Sequence, residues 1–243
     1  MENKKKKRYG IVAALLLLVL AAGVGTYAWL SATDFKKNEF TVGSIDKPEV
    51  KPDPEHPDKP GTVPTDPSVD GYLFENKWNP SEEHKMIPGS SMDKNPNVGI
   101  GKDSDPSYVF IYVKNAIVNE QAGLGKTPYF TIENNWKMVE GEFEGKAVTN
   151  GTANQYVSGL FVYTNNTGDP AALEPADGKA AYTGELFSTV HIPNTLNSKD
   201  VVQDPAMTVS CYIFGADQKG EGATPAANAV EQAKIWAAQK ARA

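Results

Sequence analysis

The sequence has little of what cysteine- and histidine-based sites require. One cysteine, Cys211, occurs in 243 residues, so an intramolecular disulfide is excluded even in an oxidising compartment. The three histidines, His56, His84 and His191, include no pair at the i, i+4 spacing that presents two imidazoles to zinc. Neither an HExxH nor a GxSxG motif is present. We therefore expect no catalytic residue set, no metal and no cofactor, and a protein that is not an enzyme.

Positive charge is scarce outside the first residues. The whole chain carries a net charge of −6, and residues 1–28 hold five basic residues against one acidic residue. The chain from Trp29 onward is therefore at −10. This acidic excess does not suit nucleic acid or an anionic lipid surface as a partner.

The chain has one long hydrophobic run, and it has the three parts of a secretory signal peptide. Lys4–Arg8 is the positive segment, Ile11–Ala22 is the apolar segment, and Thr26–Ala28 is a small-x-small cleavage tripeptide. We predict a signal peptide over residues 1–28, cleaved between Ala28 and Trp29. The mature protein is then secreted, to the extracellular matrix or the cell surface.

A transmembrane anchor is the alternative for the same run. Ile11–Leu30 has about the 20 residues needed to span a bilayer, and the lysines before it would stay in the cytoplasm. Gly23 and Gly25 weaken a helix just before the cleavage site, which favours cleavage. We therefore expect contact with the membrane only in the precursor.

Residues 29–46, WLSATDFKKNEFTVGSID, are typical of an extended strand with two apolar faces. Phe40 and Val42 share one face, and Phe35, Lys37 and Ile45 lie on the other. A strand of this kind fits between two sheets of a neighbouring subunit. The alternative is that residues 33–46 pair within their own domain.

A proline-rich linker is predicted at residues 47–70, where seven prolines follow the strand. In polyproline II geometry it would extend to about 70 Å at ~3.1 Å per residue. The linker would allow the N-terminal strand to leave its own subunit.

Residues 71–243 are predicted to form one all-β domain, a jelly-roll β-sandwich with a short C-terminal helix. Alternating apolar residues indicate strands at Tyr108–Val118 and Ala206–Phe214, the second placing Cys211 in the core. Shorter strands are predicted at Tyr72–Trp78, Tyr129–Ile132, Trp136–Val139, Val157–Thr164 and Glu185–Ile192.

The helix is predicted at residues 225–241, where Thr224 can cap and Pro225 can occupy the first turn. An apolar stripe along one side of this helix is expected to pack against the sandwich. The stripe consists of Val230, Ala233, Ala237 and Ala241, with Ile235 and Trp236 beside it.

Two further patterns offer weak candidate ligand sites. Asp93–Gly99, DKNPNVG, is similar to the start of a calcium loop, but Val98 stands where the turn glycine belongs. Trp78 and Trp136, if exposed, offer stacking surfaces for a polysaccharide, as in a surface adhesin.

Several segments resemble one family of exported proteins. Gly25–Asp46 is similar to the junction of the TasA and camelysin group of Gram-positive bacteria, which a SipW-type signal peptidase cleaves. Lys85–Val98 with its following strand, and Gly184–Asn194, resemble the clostridial BsaA-type branch, as does the alanine-rich C-terminal segment. The resemblance covers nearly the whole chain.

The resemblance implies a jelly-roll subunit of a biofilm matrix fibre or pilus-like filament. Copies of the chain would join head to tail by donor-strand exchange, through a strand that includes Phe35, Lys36, Lys37, Phe40, Val42 and Ile45. It also raises isopeptide cross-linking, with Lys36 or Lys37 as the amine donor. The camelysin group suggests a secreted protease or hydrolase as the alternative, although no placed zinc ligands accompany it here.

Overall fold

A computed structural model describes residues 31–33, 45–65, 72–78, 85–140, 154–217 and 224–242, and for residues 31–33 only the backbone. The described residues form fifteen strands and one α-helix, α1 (Pro225–Arg242). The strands in chain order are β1 (Ser31–Thr33), β2 (Val50–Pro52), β3 (Pro60–Pro64), β4 (Leu73–Phe74), β5 (Ser91–Asp93), β6 (Asn97–Ile100), β7 (Ser107–Val118), β8 (Tyr129–Thr131), β9 (Trp136–Met138), β10 (Gln155–Tyr156), β11 (Gly159–Tyr163), β12 (Ala172–Leu173), β13 (Ala181–Glu185), β14 (Thr189–His191) and β15 (Val201–Gly215). Two short 3-10 turns, Glu120–Ala122 and Leu124–Lys126, precede β8.

The strands form a large sheet and three smaller ones. The large sheet has the order β1-β15-β7-β11-β9, with β12 pairing with β7 beside β11. The four-stranded sheet has the order β10-β8-β14-β5, the three-stranded sheet β13-β6-β4, and β2 and β3 form a hairpin. All pairings within the described residues are antiparallel, and apart from the β2–β3 hairpin they join strands that are not consecutive in the chain.

The main core lies between the large sheet and the smaller sheets. From the large sheet it takes alternate residues of β7 and β15, such as Ile111 and Ile213, both fully buried. Phe130 of β8 packs from the opposite layer onto Phe187, with ring centroids 4.3 Å apart. Cys211 is buried in this core, as predicted.

The helix covers the other face of the large sheet. Phe110, Tyr212 and Phe214, which alternate with the main-core residues, pack against Ala233 and Trp236 of α1. The long strands β7 and β15 are therefore buried on both faces along part of their length. The predicted all-β fold with a short C-terminal helix is confirmed.

Two residues of the predicted helix stripe are wrong, because Ala241 and Ile235 are both exposed. The buried residues are Ala229, Ala233, Trp236 and Ala237. Ile235 is 55% exposed, because it lies about 100° around the helix from Trp236 and faces solvent.

The proline-rich segment is not an extended tether where the structure describes it. Val50 and Pro52 of β2 pair with Pro64 and Pro60 of β3, so residues 50–64 turn back on themselves. The turn is held by the Asp53 carboxylate, which accepts backbone hydrogen bonds from residues 55 and 56 at 2.8 and 3.2 Å. These backbone bonds lower the pKa of Asp53. The domain boundaries at residues 28, 46 and 70 stay predictions.

Candidate assembly site

The outer edge of β15 carries the N-terminal strand. Ser31, Ala32 and Thr33 of β1 pair antiparallel with Phe214, Ile213 and Tyr212. On its inner edge β15 pairs with β7 from Val201 to Gly215, with a register shift between Val201 and Ala206. Among the described strands, β1 is the one that pairs with the outer edge. The contact is short, because three residues cover a strand of fifteen.

The part of β15 that receives β1 is firmly held by its own subunit. Ile213 is fully buried in the main core, and Phe214 is 2% exposed beneath the helix. The Tyr212 ring stacks on the Trp236 indole, with centroids 5.3 Å apart and planes 22° from parallel. The segment of β15 that pairs with β1 is therefore fixed by packing on both faces.

The chain is anchored again at Ile45 and Asp46. The backbone N–H of Gly101 donates to the Asp46 carbonyl at 2.6 Å, and the Asp46 N–H donates to Ser104 Oγ at 2.8 Å. The Tyr72 hydroxyl donates to the Ile45 carbonyl at 2.7 Å. The N-terminal arm, which we define as residues 29–44, is thus attached to its own domain at Asp46.

Two glycines allow this close attachment. A Cβ at Gly101 would lie 2.6 Å from the backbone carbonyl oxygen of Lys47. A Cβ at Gly99 would lie against the Tyr182 ring and 3.0 Å from Pro48 Cγ. Because any larger residue would push the segment away, these glycines are what lets residues 46–48 lie directly on β6.

The β2–β3 hairpin continues the attachment. Tyr182 donates its hydroxyl hydrogen to the Val50 carbonyl, and Asn97 Nδ2 donates to the Pro57 carbonyl at 2.6 Å. Burial raises the pKa of Tyr182, and the nearby Glu49 carboxylate raises it further. The hairpin is therefore part of the folded domain.

Most of the predicted interaction residues lie outside the described residues. These residues are Phe35, Lys36, Lys37, Phe40 and Val42. The predicted cleavage residues Ala28 and Trp29 also lie outside the described residues. Ile45 is described, and it packs half-buried against the core of its own chain. Sequence reasoning missed the anchor residues Gly99, Gly101 and Tyr182. The alternation of glycine with buried Val98 and Ile100 was the available signal.

The segment Asp93–Gly99, considered as a calcium loop, is mostly β structure with engaged side chains. Asn95 Oδ1 accepts the Lys77 N–H at 2.7 Å, and Asn95 Nδ2 donates to Glu185 at 2.9 Å. Asn97 Oδ1 accepts a hydrogen bond from Thr183 at 3.2 Å. Both asparagines are buried; Asn95 joins the turn at Lys77 to β13, and Asn97 joins β6 to β13. In the described part of the chain no three His, Cys, Asp or Glu side chains cluster as metal ligands would.

The prediction of two exposed tryptophans is wrong for Trp136. Its side chain is 4% exposed and packs edge-on against Tyr163 at 5.9 Å, because Trp136 and Met138 of β9 face the main core while Lys137 between them is exposed. Trp78 is half-buried beneath the Lys94 ammonium, which lies 4.7 Å from its ring centroid. The pair does not form a shared stacking surface.

His56 and His191 lie in different elements, the hairpin turn and β14, and His84 lies outside the described residues. His56 is exposed in the hairpin turn, and His191 Nδ1 hydrogen bonds to Ser91 Oγ at 2.8 Å. The second ring nitrogen of His191 lies 3.4 Å from Thr189 Oγ1. Both ring nitrogens of His191 therefore have a hydroxyl group within hydrogen-bonding distance, one from Ser91 and one from Thr189.

Comparisons with known proteins give no relative from which a role can be taken: no protein-family model, curated protein or solved structure matches the chain. Among the helical residues that the structure describes, none belongs to a helix long and apolar enough to cross a bilayer.

Proposed function

We propose that the chain is an exported structural subunit that assembles outside the cell into a matrix fibre or pilus-like filament. Neighbouring copies exchange their N-terminal strands head to tail. The observation that carries the proposal is the pairing of Ser31–Thr33 with the outer edge of β15 at residues 212–214. In the monomer the chain covers its own acceptor edge, and in the filament the same edge receives β1 of the next copy.

Exchange is energetically feasible because the same backbone contacts form in both states. A β1 strand from a neighbour pairs with Tyr212–Phe214 in the same register as the chain's own β1 and so satisfies the same backbone groups. The free energy difference is then set by the loop and by any further pairing along β15, rather than by lost hydrogen bonds. The short three-residue contact gives a low barrier to release.

The anchor at Asp46 determines how far the arm extends. Fifteen residue steps separate Ser31 from Asp46, which gives a maximum span of about 50 Å at ~3.3 Å per residue. A domain of ~170 residues has a radius of gyration of about 15 Å, and therefore a diameter near 40 Å. The arm alone is long enough to reach a neighbour, without a proline tether.

The interface generates filaments because it is heterologous. The donor is the N-terminal arm and the acceptor is the edge of β15, so an assembly of any length keeps one free donor at one end and one free acceptor at the other. The resemblance of Gly25–Asp46 to the TasA and camelysin junction supports the same mode of assembly and SipW-type processing. Copies of the chain itself are thus the proposed partners.

A substitution in β1 tests the proposal. Ala32→Pro removes a backbone donor and fixes a φ angle near −65°, so it weakens pairing with β15 at Ile213. Ala32→Val is the matched control, because it adds side-chain bulk and retains the N–H. We expect filaments from the chain beginning at Trp29 and from Ala32→Val in electron micrographs, and monomers from Ala32→Pro. Abundant filaments from Ala32→Pro would overturn strand exchange through β1.

A further inference from the structure

The outer face of the four-stranded sheet presents an ordered array of neutral polar side chains. Met92, Phe130 and Val190 on these strands pack in the main core, so the residues alternating with them face away from it. We call this array the polar face. Its neutral members are Ser91, Tyr129, Thr131, Gln155, Thr189 and His191, which are exposed or half-buried.

The strand register places these side chains in two rows. His191 is opposite Ser91 on one side and Tyr129 on the other. In the second row Thr131 is opposite Gln155, and Asp93 is opposite Thr189. Four strands at about 4.8 Å spacing give a surface roughly 15 Å wide.

The centre of the polar face is an aromatic platform with fixed polar groups. The Tyr129 and His191 rings have centroids 5.2 Å apart and planes 33° from parallel. The hydrogen bond between Ser91 Oγ and His191 Nδ1 holds the imidazole in this position. A ring surface and hydroxyl groups therefore lie side by side.

The chemistry of the polar face fits a neutral polysaccharide. A pyranose ring presents an apolar C–H surface that packs on an aromatic ring, and its hydroxyls both donate and accept hydrogen bonds. Tyr129 supplies the ring, while the hydroxyls of Ser91 and Thr131 and the amide of Gln155 both donate and accept. The array contains no lysine or arginine and has one carboxylate, Asp93, so it does not attract an anionic polymer.

We propose that the polar face binds a neutral polysaccharide, with Tyr129 as the stacking surface and Thr131 and Gln155 as hydrogen-bonding groups. This inference does not depend on strand exchange, because the polar face lies on the four-stranded sheet and β15 lies in the large sheet.

The test is affinity electrophoresis of the chain beginning at Trp29 in gels containing dextran, hydroxyethylcellulose or alginate. Dextran and hydroxyethylcellulose are neutral glucans of different linkage, and alginate is the anionic control. We expect retardation by at least one neutral glucan and none by alginate. Tyr129→Ala should weaken the apparent affinity tenfold or more, while Tyr129→Phe, which retains the ring, should stay within about twofold to threefold.

A second pair of variants separates binding from folding. Thr131→Ala removes a hydroxyl from the polar face, and Thr208→Ala removes one from an exposed position on β15. We expect weaker retardation only for Thr131→Ala, with equal melting temperatures for the two variants. If Tyr129→Ala does not fold, this pair and Gln155→Ala decide the result. Absence of retardation by both neutral glucans, retardation by alginate alone, or equal retardation of all variants would overturn the proposal.

Discussion

The hydroxyl of Tyr182 on β13 donates a hydrogen bond to the backbone carbonyl oxygen of Val50 on β2. The Tyr182 ring also lies over Gly99, and together these contacts hold the proline-rich hairpin on the three-stranded sheet. The hairpin is consequently part of the domain, and the segment before it is held to the domain at Asp46 by Gly101 and Ser104.

Tyr182→Phe should loosen the hairpin and change the response to alkali. The variant loses one hydrogen bond, so we expect the free energy of unfolding at pH 7 to fall by about 1 kcal/mol. The pKa of Tyr182 is raised above its ordinary value of 10.0, first by burial and then by Glu49, so the folded state disfavours the phenolate. The unfolded chain therefore ionises first, and the contribution of Tyr182, complete below pH ~10, is lost as the pH rises above ~10.

Urea unfolding of both proteins at pH 7, 9, 10 and 11 measures this difference. The original chain should lose more stability than Tyr182→Phe between pH 9 and 11. Burial also raises the pKa values of Tyr112 and Tyr163, but these residues are common to both proteins and cancel in the comparison. If the unfolding free energies of the two proteins fell in parallel between pH 9 and 11, Tyr182 would not be the group that causes the loss of stability.

Gly101→Ala should detach the base of the N-terminal arm. The added Cβ would meet the Lys47 carbonyl oxygen at 2.6 Å, and a backbone atom cannot move away as a flexible side chain would. We expect a loss of about 1–3 kcal/mol in unfolding free energy. Hydrogen exchange should accelerate at the Asp46 amide, which donates to Ser104.

Gly125→Ala is the matched control, because a Cβ there meets nothing within 4 Å. That variant should retain both its stability and the slow exchange at Asp46. Unchanged exchange in Gly101→Ala would mean that Asp46 is held by other contacts.

Lys94 and Glu75 form a mostly buried ion pair whose disruption should be costly. Lys94 Nζ lies 2.6 Å from Glu75 Oε1, and the two side chains are 7% and 23% exposed. Lys94→Met leaves the carboxylate without this partner, and we expect about 2–3 kcal/mol of destabilisation, below the ~3–5 typical of a fully buried pair. Chemical denaturation of the single and double variants gives the coupling energy.

The double variant Lys94→Met with Glu75→Leu should recover part of this loss, because no unpaired charge remains. Lys234→Met breaks a surface pair with Glu231 at 2.9 Å and should cost no more than ~0.5 kcal/mol. If Lys94→Met and Lys234→Met lowered the unfolding free energy equally, the buried pair would be no more important for stability than the surface pair.

Trp236 should contribute far more to stability than its neighbour Ile235. Trp236 is 7% exposed and stacks on Tyr212, whereas Ile235 is 55% exposed. We expect Trp236→Ala to cost about 3–5 kcal/mol and Ile235→Ala less than ~0.5 kcal/mol. A thermal or urea melt of the two variants decides this, and similar losses would argue against docking of α1 through Trp236.

Long periodic elements could be predicted from the sequence, because their pattern repeats over many residues. Tyr108–Val118 corresponds to β7 (Ser107–Val118), and the helix begins at Pro225 with the Thr224 hydroxyl accepting the Ala227 N–H at 3.3 Å. The short buried strand β6 could not be predicted, because Asn97 and Gly99 are typical of loops. Asn97 is buried there with hydrogen bonds to Pro57 and Thr183, which only the tertiary structure supplies.

The β2–β3 hairpin could not be predicted from the sequence for a related reason. Prolines at 52, 60 and 64 predict extended structure because they donate no backbone hydrogen bond. In the structure they occupy a two-stranded hairpin that needs few such bonds, and the Asp53 N–H donates to the Lys59 carbonyl at 2.9 Å to close it. The strand predicted over residues 29–46 includes Ser31–Thr33, which pair with β15, although the predicted interaction residues began at Phe35. The anchor at Asp46 and the outer edge of β15 depend on the fold.

The central claim is that β1 of one copy pairs with β15 of the next. It is tested most directly with a photo-crosslinking amino acid at position 32, opposite Ile213. Equal amounts of ¹⁴N- and ¹⁵N-labelled chains are mixed, assembled, irradiated and analysed by mass spectrometry for peptides that join position 32 to β15. We predict that filaments give mixed-isotope cross-links at the statistical share of about half, and that unassembled monomers give same-isotope cross-links alone. Filaments with same-isotope cross-links alone would contradict strand exchange.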